Sequence, residues 1–142
     1  MAATGAKRAR ILVVEDNPAD VELLRWALQD AGLDCDLTVI DDGRDALDFV
    51  LQRGKHAASS PPDLAILDWN LPKNDGLEIL EGLRGNRAFD GVPVAVLSSS
   101  SSPRDRAKME VFGISQYITK PPDLDEYLKI GKLVKQMLTD AN

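Results

Sequence analysis

The chain reads as an α/β protein, a doubly wound open parallel sheet of five strands with five helices laid over both faces. Three observations predict this. Short β-branched apolar runs alternate along the chain with longer stretches whose apolar residues recur at helical spacing. Strands joined by helical crossovers must run parallel, and such crossovers are right-handed. The runs assigned to strands one and three are continuous rather than alternating, the pattern of strands buried in the sheet interior.

The elements follow in order. "RILVV" (Arg10 to Val14) is strand one. "NPADVELLRWALQDAG" is helix one: Asn17 caps it, Pro18 suits its first position, Asp20 favours its positive end, and Gly32 closes it. "CDLTVI" (Cys35 to Ile40) alternates and is predicted to be a more exposed strand two. "GRDALDFVLQRG" is helix two, with Ala46, Leu47, Val50 and Leu51 on one side, and Arg53 to Pro62 is a polar loop. "DLAIL" (Asp63 to Leu67), "LEILEGLRGN", "VPVAVLS" (Val92 to Ser98), "SPRDRAKMEVFG", "SQYIT" and "DLDEYLKIGKLVKQML" then supply strand three to helix five. Ser102 with Asp105, and Asp123 with Glu126, form capping boxes at the starts of helices four and five.

Composition narrows the function. At 142 residues, with 44% hydrophobic and 28% charged residues, the chain is one globular domain of ordinary make-up. Met1 to Ala9 is expected to be a disordered tail, and 10–142 the domain. A net charge of −6 argues against non-specific binding to nucleic acid or anionic lipid, while leaving a divalent cation open. No apolar run is long enough to cross a bilayer, and Cys35 is the sole cysteine, which excludes an internal disulfide. The cytosol is the expected compartment.

In such sheets ligands bind outside the carboxyl ends of the strands. Strand one ends at Glu15 and Asp16, strand three at Asp68, strand four at Ser98, and strand five runs into Lys120. Clustered carboxylates are tolerable when they share a cation, and oxygen ligands on a partly open site suit magnesium. Asp68 is then a candidate nucleophile for an aspartyl phosphate. Magnesium, Lys120, Ser98 and loop amides would neutralise the phosphoryl oxygens. Each residue also has a plain reading: Asp16 as a cap beside Asn17, Asp68 as a turn aspartate, Lys120 as a solvated loop lysine, Ser98 as the start of the polar run "SSSSSP". Their convergence on one sheet edge favours chemistry over all of these at once.

With the motifs "LVVEDNP", "LDWNLPKNDG", "VAVLSSS" and "YITKPP" in this order, the chain resembles the receiver domains of bacterial two-component response regulators, over about Arg10 to Leu138. The resemblance implies a flavodoxin-like sheet in the order 2-1-3-4-5. It implies that Asp68 accepts a phosphoryl group from a sensor histidine kinase. Asp16 and Asp68 would bind Mg2+ directly, Glu15 through water, and Asn70 through its carbonyl. Ser98 stands at the switch hydroxyl, Tyr117 at the switch aromatic, and Lys120 at the lysine that pairs with the phosphoryl group. The Lys120–Pro121 bond would be cis. Asn70 and Ser100 would tune the lifetime of the phosphoryl group. Such a domain is not an enzyme beyond its own phosphorylation and dephosphorylation. Glu15 stands where Asp is commoner, and Pro122 where an apolar side chain usually follows. The loop "RGKHAASSPPDL" and "LSSSSSPRD" further resemble the stand-alone receivers that partner phytochrome-type histidine kinases. With no output domain after Asn142, signalling would pass through protein contacts or phosphorelay.

Two rival classes are less well supported. A haloacid-dehalogenase-type phosphatase needs a second Asp two residues after the nucleophile, where this chain has Asn70. An unphosphorylated receiver-like module would lack one of the acidic pair, nucleophile or lysine. His56, in a polar loop, is a poor phosphocarrier; Trp26 is expected to pack helix one, and Trp69 to shield the site in part. On helix five, Leu124, Tyr127, Leu128, Gly131, Val134 and Leu138 are predicted to cover the sheet. Ile130, Leu133 and Met137 form a second apolar line, predicted to face outward and to pair two copies through helix four, strand five and helix five.

Overall fold

A computed structural model describes residues 8–72, 75–99 and 102–140. Residues 1–7 of the expected tail, Ser100 and Asn142 lie outside that range. The elements are β1 (Ala9–Val14), α1 (Pro18–Asp30), β2 (Cys35–Ile40), α2 (Gly43–Leu51), β3 (Leu64–Asp68), α3 (Asp75–Gly85), β4 (Val94–Ser98), α4 (Pro103–Val111), β5 (Gln116–Thr119) and α5 (Leu124–Asp140). The caps act as predicted: the Asn17 side chain accepts from the Ala19 amide at 2.9 Å, Ser102 from Asp105 at 3.4 Å, and Asp123 from Glu126 at 2.9 Å.

The strands form one parallel sheet in the order β2-β1-β3-β4-β5. Val14 stands level with Ile40 and Leu67, Asp68 with Leu97, and Ser98 with Thr119. This register makes the chain leave the sheet at Glu15, Asp68, Ser98 and Lys120 along a single edge. β2, at the border, alternates between half-buried and exposed residues as its sequence requires.

Alternate residues of the central strands serve two cores. Leu12, Val14, Ala65, Leu67, Val94 and Val96 face α2, α3 and α4, together with Phe89 and Met109. Ile11, Val13, Leu64, Ile66, Ala95 and Leu97 face α1 and α5. At the edge opposite the site, the Arg84 guanidinium donates to the carbonyls of Phe112 (2.7 Å), Val92 (2.8 Å) and Gly113 (3.2 Å), tying α3 to the start of β4 and the end of α4. His56 is tied into the α2–β3 loop by Asp45, 2.9 Å from its Nε2, and by an edge-on contact with the Phe49 ring, a structural role.

α5 departs from expectation. Ile130 and Met137 are buried, 3% and 6% exposed, within the core beneath α1 and α5, and Leu133 is half-buried. Leu124, predicted to cover the sheet, is 42% exposed. The predicted outward line of Ile130, Leu133 and Met137 is therefore overturned, and with it the sequence argument for pairing two copies through it. The cause is that α5 packs against two surfaces. Gly131 meets the backbone of α1 so closely that a Cβ there would overlap the Ala27 carbonyl, while Ile130, Val134 and Met137 turn onto the sheet.

A second correction concerns Lys120–Pro121. No described peptide bond is cis, so this one is trans. Trans is the more stable X-Pro isomer by about 0.5–1 kcal/mol. In this geometry Lys120 already donates its amide to the Ser98 carbonyl at 2.7 Å and reaches the acidic cluster with its side chain.

Candidate functional site

The site is built from strand ends held rigid by two buried cores. Asp68 is the last residue of β3 and Ser98 the last of β4, 2% and 0% exposed. Glu15 follows β1 directly and is 4% exposed. A run of apolar strand residues behind each one fixes its backbone, so the carboxylates cannot relax away from one another into solvent. Asp16, one residue further, is exposed and leaves the pocket open on that side.

Three carboxylates meet there. Glu15, Asp16 and Asp68 each offer an oxygen within 4.8 Å of the others. Their hard oxygen donors, two buried and one exposed, fit a divalent cation that keeps part of its water shell. The backbone already satisfies part of the charge: the Asn17 amide donates to Glu15 Oε2 at 3.2 Å, and the Asn70 amide to Asp68 Oδ1 at 2.9 Å. Burial of Glu15, the hydrogen bond it shares with Asp68 and that neighbour's charge push its carboxyl up to about 7, against the pull of Lys120.

Lys120 closes the cluster from β5. Its Nζ donates to Glu15 Oε1 at 3.1 Å and to Asp20 Oδ2 at 3.0 Å, and lies 3.4 Å from Asp68 Oδ1. Burial opposes its charge, but the bonds to Asp20 and Glu15 and the charge of Asp68 outweigh it and hold the ammonium protonated well above the usual lysine range. The structure thus brings together Glu15, Asp16, Asp68, Ser98 and Lys120, all named from strand ends.

Three features were not read from the sequence. Asp20, assigned only to the helix dipole, is a direct partner of Lys120; it lies in the first turn of α1, four residues after Asp16, and that nearness to the strand end was the available signal. The Asn70 side chain bridges the pocket mouth, its Oδ1 accepting from the Ser99 amide (2.7 Å) and hydroxyl (3.1 Å). Tyr127, in the first turn of α5, buries a hydroxyl with no hydrogen-bond partner among the described residues, and burial and then the charge of Asp20 push its pKa up to about 12. Tyr117 is half-buried, with the Arg106 guanidinium 5.3 Å from its ring centre. Trp69, expected to shield the site, is half-buried against the core of α2, α3 and α4, and Trp26, expected to pack helix one, is 55% exposed.

A flavodoxin-like sheet whose carboxyl edge carries an acidic pair, a buried aspartate, a buried serine and a bridging lysine defines a class: signalling domains that take a phosphoryl group on aspartate. The family model for the response regulator receiver domain matches residues 11–131, and the chain belongs to that family. It is 35% identical over 120 residues to the response regulator Rcp1 of Synechocystis sp., covering 84% of this chain and 82% of that protein. It is 38% identical over 119 residues to the response regulator MprA of Mycolicibacterium vanbaalenii, of which it spans 47%. Among solved structures it resembles the phosphorylated cyanobacterial phytochrome response regulator RcpA, with TM-score 0.84, 32% identity, and 96% and 97% of the two chains covered. The Mn2+-bound form of Rcp1 is similar at TM-score 0.79 and 33% identity, over 89% and 91% of the chains. No helix among the described residues is long and apolar enough to cross a membrane.

Proposed function

We propose that Asp68 is the phosphoryl acceptor of this response regulator, with a phytochrome-type sensor histidine kinase as donor in the cytoplasm. The observation that carries the assignment is the placement of Asp68: buried at a strand end, within reach of Lys120, and sharing an oxygen cluster with Glu15 and Asp16. The relation to RcpA and Rcp1 supports a phytochrome-type donor.

An Asp68 carboxylate oxygen attacks the phosphorus of the kinase phosphohistidine. The new P–O bond forms as the P–N bond breaks, and the histidine nitrogen leaves with the electron pair. Asp16, Asp68, the Asn70 carbonyl and, through water, Glu15 would hold Mg2+, which neutralises charge on the phosphoryl oxygens. Lys120 meets a further phosphoryl oxygen. Ser98, at the end of β4, donates its hydroxyl to another, and Tyr117 on the neighbouring strand follows that movement. Asn70, which tethers Ser99 across the mouth, limits the approach of water to the acyl phosphate. The domain turns over nothing but its own phosphoryl group.

The proposal extends to pairing of two copies through α4, β5 and α5. There Val111, Leu124 and the half-buried Leu133 are the apolar groups left to support it. Light scattering with and without beryllofluoride tests that part.

The acceptor is tested by incubating wild type and Asp68→Asn with acetyl phosphate and Mg2+ and weighing the intact protein. Wild type is expected to gain one phosphoryl group that alkali or hydroxylamine removes. The near-isosteric variant should gain none while keeping its circular dichroism spectrum. A labile phosphoryl group on the variant moves the acceptor elsewhere.

A further inference from the structure

α4 is held to the domain unlike the other helices. Of its 9 residues only Met109 is buried, whereas α2, also of 9 residues, buries five. Pro103, Arg104, Arg106, Ala107 and Lys108 are exposed and Asp105 is half-buried, so this stretch puts no side chain into the core. Arg106 lies 3.4 Å from Glu110 within the helix and 5.3 Å from the centre of the Tyr117 ring, contacts made at the surface. A short helix that is polar on nearly every side gains little from packing and is marginal by itself.

The carboxyl end of α4 is anchored. Met109 is fully buried, and Phe112 and Ile114 pack against the same core. The amides of Phe112 and Gly113 close the helix on the Met109 and Glu110 carbonyls, each at 3.0 Å. Beyond them the carbonyls of Phe112 and Gly113 accept from the Arg84 guanidinium of α3 at 2.7 and 3.2 Å, and the same group holds the Val92 carbonyl at 2.8 Å. A cation is favoured at a helix carboxyl end. The rigid fork of a guanidinium suits several fixed acceptors in a way that a lysine ammonium does not. The amino end of α4, by contrast, follows β4, whose last residue is Ser98.

We propose that α4 is a lever pinned by Arg84. Its carboxyl end is fixed to α3 and to the start of β4. Its amino end opens and closes apart from the rest of the domain and takes up displacements of Ser98. Segments with few buried contacts open locally at less cost than the whole domain unfolds. Arg84, at the edge opposite the acceptor, sets how far along α4 such an opening runs. The link to Ser98 rests on Asp68 as acceptor, and the pin does not.

The test is native-state hydrogen exchange of the full chain, read amide by amide by NMR. In wild type the amides of Arg106 to Lys108 open with the pin in place, and those of Glu110 to Gly113 open only when it breaks. The first set is expected to exchange at least about tenfold faster than the second, the scale of one hydrogen bond to a charged group. Arg84→Met should speed the second set by about tenfold or more and leave the first nearly unchanged, which removes the gradient. Arg84→Lys should not restore it. Uniform exchange along wild-type α4, or acceleration of both sets by one factor in Arg84→Met, overturns the pin. Beryllofluoride with Mg2+ then reads the link to Ser98. Amide shift changes in α4 should stop near Met109 in wild type and run through Gly113 in Arg84→Met; the same span in both proteins overturns the lever. A wild type that does not bind the mimic overturns the acceptor assignment, while the exchange gradient still decides the pin.

Discussion

Glu15 and Lys120 are caught between burial, which disfavours charge on either, and each other, which favours it. For Lys120 the carboxylates win and the ammonium stays charged. For Glu15 burial wins, because the nearby Asp68 adds to it, and the carboxyl titrates near neutrality at about 7 in the absence of metal. Its folded-state value lies above the unfolded value of 4.5, so the native state holds this proton more tightly. The corresponding stability is fully present below about pH 4.5 and is lost as the pH rises through about 7. Chelator-treated protein should therefore lose on the order of 1–3 kcal/mol between pH 5 and pH 8, read from urea midpoints. Glu15→Gln should flatten that slope; an unchanged slope in the variant would place the titrating group elsewhere. The residues of the proposed site were legible because they sit at or just beyond the ends of strand runs, where a charge has no packing reason to be. Asp20 was not, since its ordinary helical role as a first-turn acid hides its pairing with Lys120. For Asn70 the resemblance implies only a backbone ligand, and its side-chain tether to Ser99 depends on where the β4–α4 loop lies, which no local pattern encodes.

At the scale of elements the helices and strands were legible to within two or three residues, the largest miss at the end of α2, because caps, breakers and periodicity agree at most boundaries. What failed was the orientation of α5. Periodicity gives the spacing of an apolar stripe, but which side meets the sheet depends on the second surface the helix touches. Here that surface is α1, and Gly131 decides the approach, because any side chain there would meet the Ala27 carbonyl. Gly131→Ala should accordingly cost about 1–3 kcal/mol despite the better helix propensity of alanine. Ile130→Glu puts a carboxylate into the core formed with Ile66 and Leu97 and should unfold the domain or cost at least about 3 kcal/mol. Leu133→Glu, at a half-buried position, should cost no more than about 1 kcal/mol. Thermal melts of the three variants check the orientation: if Ile130→Glu melts with wild type while Leu133→Glu does not, α5 is turned the other way.

On the scale of the whole molecule, the two edges of the sheet do opposite work. At the amino edge of β4, Arg84 spends its guanidinium on three carbonyls and locks the turns together. At the carboxyl edge, three carboxylates, Glu15, Asp20 and Asp68, share the ammonium of Lys120, and Asp16 adds a fourth beside Glu15 and Asp68. Without a cation that edge carries uncompensated charge, a cost in stability that the proposed metal and phosphoryl site accounts for. A ligand that binds only the folded state adds RT ln(1 + [L]/Kd), about 2.7 kcal/mol at a hundredfold excess over Kd. For a domain of this size each kcal/mol moves the melting point by roughly 2–4 °C. Saturating Mg2+ should then raise the Tm at pH 7.5 by roughly 5–11 °C. The rise should be smaller at pH 5, where the protonated Glu15 weakens the site. Asp16→Ala, exposed and outside both cores, should melt at or above the wild-type temperature in chelator yet lose most of the Mg2+ shift. An Asp16→Ala protein that gains as much from Mg2+ as wild type would show that the cation acts elsewhere on this acidic surface and not at the strand ends.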